Sequence, residues 1–189
     1  MEYNFKPAFL MVVGVEGGYD TTYQDKGNWT SGQVGVGELK GTKFGIDAMS
    51  YPDLDIQNLS LVEAQNIYHA DYWLKYGCDG LADGFDILAF DMVVNQGPGA
   101  IPCLERALGT TPDGRIGPHD TLATKNAGIN QLAIFASQRA QRYVASEEVM
   151  HENVLNGWLN RLFITYAMAV ETWRNANLAK TQAPVEKQG

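Results

Sequence analysis

Two carboxylates nine positions apart are the first residues whose types and spacing suggest chemistry. In VEGGYDTTYQD, residues 15–25, Glu16 directly follows the apolar run FLMVVGV, and Asp25 falls in a polar segment. Charged side chains seldom border such a run without a reason. A carboxyl at the C-terminal end of a buried helix meets the negative end of the helix dipole, and apolar neighbours strip its water. Both effects favour the protonated form. An acid kept protonated near neutral pH suits protonation of a glycosidic leaving oxygen. Asp25, in its polar loop, would stay ionised. It could hold or activate water, stabilise oxocarbenium-like charge, or act as nucleophile, depending on its separation from Glu16. Plainer readings stand beside these: Glu16 as a helix-end residue reaching solvent, and Asp25 as a turn-former beside Gly27.

The elements that must position these groups follow from periodicity and punctuation. Pro7 suits a first helical position, Ala8–Val15 continues as a buried helix, and Gly17-Gly18 supplies its left-handed stop. Residues 25–41, DKGNWTSGQVGVGELKG, read as a glycine-rich loop with a β-hairpin in which Val34 and Val36 alternate with polar or glycine positions. Ser60 and Glu63 form a capping box before LVEAQNIYHADYW. Asp83 or Asp86 can cap the apolar helix ILAFDMVVN, which Gly97-Pro98 breaks. AIPCLERAL is a short helix closed by Gly109, and TPDGRIGP is a double turn. Further helices are expected over 118–126, 130–147 and 154–174.

The expected architecture is mainly α, with two lobes and a small β-hairpin flap beside a cleft. Residues 1–80 would form a catalytic segment with Glu16 and the flap, and 81–175 a helical lobe. Both would sit in one compact domain, with a flexible tail over 176–189.

Composition narrows the function. The 189-residue chain carries a formal charge of −8, which argues against a nucleic-acid binder and against strong attraction to anionic lipid. The two cysteines, Cys78 and Cys103, form neither a disulfide framework nor a zinc pattern, and His69, His119 and His151 lack metal-ligand spacing. No metal or other cofactor is expected. The early apolar run is too short to span a bilayer and lacks a basic leader and cleavage site. The expectation is synthesis in the cytoplasm without a signal peptide, and no stable membrane insertion. The helix 158–173 is apolar on most sides but poor in cations, so it reads as core rather than as membrane-active.

EGGY-x5-D at 16–25, GTKFGI at 41–46 and EAQNIYHADYW at 63–73 together resemble the catalytic segment of glycoside hydrolase family 108, the phage and bacterial N-acetylmuramidases. ILAFDMVVNQGPGA at 87–100, ALGTTPDGRIGP at 107–118 and NGWLNRL at 156–162 resemble the peptidoglycan-binding segment that accompanies it. The resemblance implies a lysozyme-like fold that cleaves the β-1,4 bond between N-acetylmuramic acid and N-acetylglucosamine. It places the family glutamate on Glu16 and, by the wider phage-lysozyme spacing, the second acid on Asp25. The site threonine falls on Thr42, in the GTKFGI block, with Thr30 as the nearer candidate in sequence. About a dozen residues, 29–40, stand as an insertion before that block.

Tyr19, Asn28, Trp29 and Phe44 are candidate substrate contacts, since sugar rings pack on aromatic faces and bond to amides. Trp29 could equally anchor the flap. Asn95, in an Asn-x-Gly element like that bordering lysozyme clefts, is a candidate sugar contact or a plain helix end. Glu38 is a rival partner acid or a solvated flap charge. The implied partner is bacterial peptidoglycan, reached in the periplasm by a monomer after release through a holin lesion or by a secretion system. A lytic transglycosylase and a non-catalytic wall-binding or secretion accessory protein are the rivals.

Overall fold

The computed structural model describes residues 2–14, 18–146 and 152–182, with the side chains of residues 152 and 153 left aside. Glu16 lies outside the described residues, as do His151 and the chain's last seven positions. The described chain is mainly helical with one two-stranded antiparallel sheet, as expected of a lysozyme-like fold. It divides into two compact units. One comprises Phe9–Ala70, and the other comprises Met1–Ala8 with Asp71 onward.

Helix α1 runs Glu2–Val13, so Pro7 lies inside it rather than at its start. An interior proline removes one helical hydrogen bond. Tertiary bonds to the first turn offset that loss. The Tyr3 hydroxyl donates to Asp83 Oδ1, and Asn4 Nδ2 donates to Asp83 Oδ1 at 2.9 Å and to Asp86 Oδ2 at 2.8 Å. The helix also stops earlier than the Gly17-Gly18 pair suggests. Gly14 adopts φ 74° and its N–H bonds to the Leu10 carbonyl at 3.1 Å, the left-handed stop that closes a helix. Glu16 therefore follows the last helical residue, Val13, by three positions.

The unit Phe9–Ala70 is mostly loop. Its one sheet pairs β1 (Thr42–Lys43) with β2 (Ile46–Asp47), register Thr42↔Asp47 and Lys43↔Ile46. The hairpin was expected around Val34 and Val36 but sits in GTKFGI. Phe44 (φ 53°) and Gly45 (φ 74°) both take positive φ, as a two-residue hairpin turn with the right twist requires. Val34 and Val36 are exposed and outside any strand; the segment instead closes through one bridge, Trp29↔Leu39. Alternation among so many glycines gave no buried face to fix a register. Helix α2 (Leu61–Tyr68) opens on the expected capping box: Ser60 Oγ accepts from Glu63 N at 3.2 Å, and Glu63 Oε2 accepts from Ser60 N at 2.8 Å. A π-helical turn, His69–Leu74, follows it.

The larger unit is built around α3 (Phe85–Asn95), whose residues from Phe85 to Val93 are all buried. A helix apolar on every side belongs in the middle of a core. Phe5, Trp73 and Phe90 pack edge-to-face around it, with ring centroids 5.4–5.7 Å apart. Asp86 ties the helix start, its Oδ1 accepting from Gly84 N at 2.9 Å and Ile87 N at 2.8 Å. Helices α4 (Pro102–Leu108), α5 (Pro118–Asn126), α6 (Ile129–Val144) and α7 (Glu152–Gln182) complete the unit. Gly109 closes α4 at φ 73°. The connection after it is a built loop: the buried Glu105 carboxylate accepts from Asp113 N at 2.9 Å and Gly114 N at 3.0 Å. Helix α7 continues past residue 174, where periodicity fades, to Gln182. It buries one stripe, including Leu162, Thr165 and Ala169, and leaves Phe163 and Ile164 exposed. Among the described residues no helix is long and apolar enough to cross a membrane.

Candidate active site

The segment downstream of Glu16 is held by one buried amide. Asn28 closes the 3-10 turn Lys26–Asn28 and is wholly buried. Its Nδ2 donates to Asp20 Oδ2 at 3.2 Å and to the Thr22 carbonyl at 3.1 Å. Its Oδ1 accepts from the Thr42 hydroxyl at 2.7 Å, and its carbonyl accepts from Lys40 N and Gly41 N at 3.0 Å. Asp20 and Thr42 meet again through the backbone, as an antiparallel bridge with N–H···O distances of 2.9 and 2.8 Å. Asp20, Asn28 and Thr42 thus form one connected unit. Asn28 offers no group to a ligand from that position; it holds the loop.

Asp20 was not singled out by spacing, yet it organises the segment. Its Oδ1 accepts from the Thr22 hydroxyl at 2.8 Å and from Thr22 N at 3.2 Å. Bonds from the Thr22 hydroxyl and then the Asn28 amide hold its carboxyl below the usual aspartate range. The pattern Asp-x-Thr, in which a carboxylate bonds its own chain two residues on, was the available signal.

Asp25 is exposed and caps the 3-10 turn, its Oδ1 accepting from Gly27 N at 2.9 Å. Its turn-forming role is therefore real, and it leaves Oδ2 without a partner among the described residues. Thr42 is half-buried in β1. Thr30 serves the flap instead, its Oγ1 accepting from Glu38 N at 3.0 Å. The Glu38 side chain is 76% exposed and lies 3.6 Å from Lys40 Nζ, as a solvated flap charge would. Trp29 is buried, donates through Nε1 to the Tyr23 carbonyl at 2.9 Å and meets the Tyr23 ring edge-on at 5.0 Å. It anchors the flap.

Tyr19 is exposed enough to meet a ligand. Its hydroxyl donates to the Lys40 carbonyl at 3.1 Å, and it lines a cavity of about 260 Å³ with Leu39, Lys40, Asp53, Asp55, Ile56 and Gln57. Phe44 sits half-buried at the hairpin turn, with Lys43 Nζ 5.5 Å from its ring and its carbonyl accepting from the Tyr68 hydroxyl at 3.1 Å.

In the larger unit, Asn95 ends α3 and borders a cavity of about 360 Å³ with Gln96, Arg142, Tyr143, Ala145, Ser146 and Trp158. Beneath it lies a buried ion cluster. Asp91, wholly buried, receives Arg139 Nη2 on Oδ2 at 2.7 Å and Arg161 Nε on Oδ1 at 2.6 Å. Arg139 also donates to Gln96 Oε1 at 2.8 Å and to the Leu88 carbonyl at 3.1 Å. The i,i+4 placement of Asp91 and Asn95 was legible; the arginines that answer Asp91 come from α6 and α7 and were not.

Residues 9–97 match the family model described as Glycosyl hydrolase 108. The likeness read from the sequence is matched over that stretch, which contains Glu16, Asp25 and Thr42. A solved structure, that of Brucella abortus SagA, shares the fold: TM-score 0.72 at 22% identity, covering 92% of this chain and 98% of that one. Comparison with the curated proteins gives no match.

Proposed function

We propose that the protein is a muramidase that hydrolyses the β-1,4 bond between N-acetylmuramic acid and N-acetylglucosamine in peptidoglycan, with Glu16 as the general acid. The observation that carries this reading is the family match across residues 9–97, which spans all three candidate catalytic positions. Glu16 protonates the leaving oxygen. Thr42, fixed by Asn28, supplies a hydroxyl on the strand edge, and Asp25 handles the water. The second half serves as the peptidoglycan-binding segment, and the protein acts on the wall as a monomer. Phage-borne release and a role in bacterial secretion both fit this chemistry.

One observation favours a second reading. Asp25 is exposed and already caps Gly27, which suits a site that works with a single acid, as in a lytic transglycosylase. Mass spectrometry of muropeptides released from purified wall separates the two. Reducing N-acetylmuramic acid ends carry the added water of hydrolysis; 1,6-anhydro ends, lighter by one water, would replace the muramidase reading with the transglycosylase one.

A further inference from the structure

Among the described residues, the cavity beside Asn95 is lined by several hydrogen-bond donors and by no carboxylate. The Asn95 Oδ1 is occupied by the Tyr143 hydroxyl, and its NH2 has no hydrogen-bond partner among the described residues. Both ends of the Gln96 amide are engaged, Oε1 by Arg139 Nε and Nε2 by the Arg139 carbonyl at 3.2 Å. Arg142, in the last turn of α6, is exposed and has no hydrogen-bond or ion-pair partner among the described residues. No acidic side chain is among the described lining residues.

The charge beneath has the same sign. Two guanidiniums share the single carboxylate of Asp91, so the cluster carries one excess positive charge, and Arg161 Nη2 is buried without an acceptor among the described residues. Such an imbalance beside a cavity favours an anion. It is the more telling in a chain whose formal charge is −8. The wall of the cavity is flat and apolar: Tyr143 and Trp158 stack with centroids 5.2 Å apart and an interplanar angle of 27°. A guanidinium, an amide NH2 and the Ser146 hydroxyl around an aromatic face suit a planar anion on a small organic scaffold.

We propose that this cavity is a carboxylate-binding subsite, with the Arg142 guanidinium as its principal contact and Trp158 as the packing face. The inference rests on the peptidoglycan reading for the ligand's source, since that polymer offers carboxylates on its peptide stems and, where the stem is missing, on the lactyl group of N-acetylmuramic acid.

The test is titration calorimetry of the full chain, wild type and Arg142→Gln, with three soluble probes. These are a disaccharide carrying an acidic tetrapeptide stem, the same molecule with its carboxylates amidated, and the peptide-free disaccharide with its lactyl carboxylate. The expected result is that wild type binds one of the two acidic probes, and that Arg142→Gln weakens this at least about tenfold, as loss of a charge-assisted bond implies. Where the stem probe binds, its amidation should weaken wild type equally and Arg142→Gln no further. Which acidic probe binds assigns the source. Equal affinity of wild type for acidic and amidated stems without lactyl-probe binding, unchanged affinity in Arg142→Gln, or no binding of either acidic probe overturns the proposal. Glycan cleavage, assayed separately on purified wall, reports on the muramidase reading alone. Arg142 makes no hydrogen bond or ion pair among the described residues, so its replacement is expected to leave the fold intact, and coincident unfolding curves verify this.

Discussion

The Thr42 hydroxyl donates to Asn28 Oδ1 at 2.7 Å, and Asn28 has no exposure to solvent. Thr42→Val removes the donor and leaves a buried carbonyl without a side-chain partner. The expected loss is about 1–3 kcal/mol of stability, read from urea unfolding, while Thr42→Ser keeps the bond and most of the stability. If Thr42 also serves the reaction, Thr42→Val should lower wall cleavage by more than its unfolded fraction accounts for.

Gly41 is the backbone hinge of the same unit. Its φ is +81°, and a Cβ there would stand 2.4 Å from the Asp20 carbonyl oxygen. Gly41→Ala therefore adds left-handed strain of about 1–3 kcal/mol and pushes against the Asp20–Thr42 bridge. A lowered thermal midpoint with faster amide exchange at Asp20 and Thr42 is expected. An unchanged midpoint would mean the bridge contributes little.

Asp20 gives a pH prediction with a definite sign. Its folded pKa is depressed by the Thr22 hydroxyl and the Asn28 amide. The stabilisation linked to it is therefore fully present above the unfolded value of about 3.9 and is lost as pH falls through the lower folded value. Carboxyl-detected NMR titration should place the Asp20 midpoint below the ordinary range in wild type and return it towards that range in Thr22→Val.

Asp91 and Arg139 are both wholly buried and 2.7 Å apart. Asp91→Ala leaves Arg139 and Arg161 without their shared carboxylate. A loss of about 3–5 kcal/mol is expected, because the surviving buried charge has no compensation. Replacing Asp91 and Arg139 together by Met and Leu should recover part of it. Denaturant midpoints for the single and double variants decide this.

Local chemistry made much of the fold legible. The Ser60–Glu63 capping box, the Gly109 helix stop and the bounds of α5 follow from residues within a few positions of one another. What failed depended on distant partners. Pro7 sits inside α1 because Asp83 and Asp86, some eighty positions away, hold the first turn. The hairpin turn lies at Phe44-Gly45 because a non-glycine residue there accepts positive φ, which alternation at Val34 and Val36 could not reveal. At the site, spacing drew attention to Asp25, but the carboxylate that bonds Thr22 and Asn28 is Asp20, and Asn28 in turn holds the Thr42 hydroxyl. Asn28 and Trp29, attractive as ligand contacts by residue type, are occupied by the loop itself. Residue type suggests what a side chain can bond; burial and prior partners decide whether it remains available.

The central claim is that Glu16 delivers the proton to the glycosidic oxygen. It is tested most directly by comparing wild type with Glu16→Gln on purified peptidoglycan, at equal folded concentration verified by circular dichroism. The expected fall in cleavage rate is about 10²–10⁴-fold, the usual contribution of a positioned general acid. Undiminished cleavage by a folded Glu16→Gln protein would contradict it.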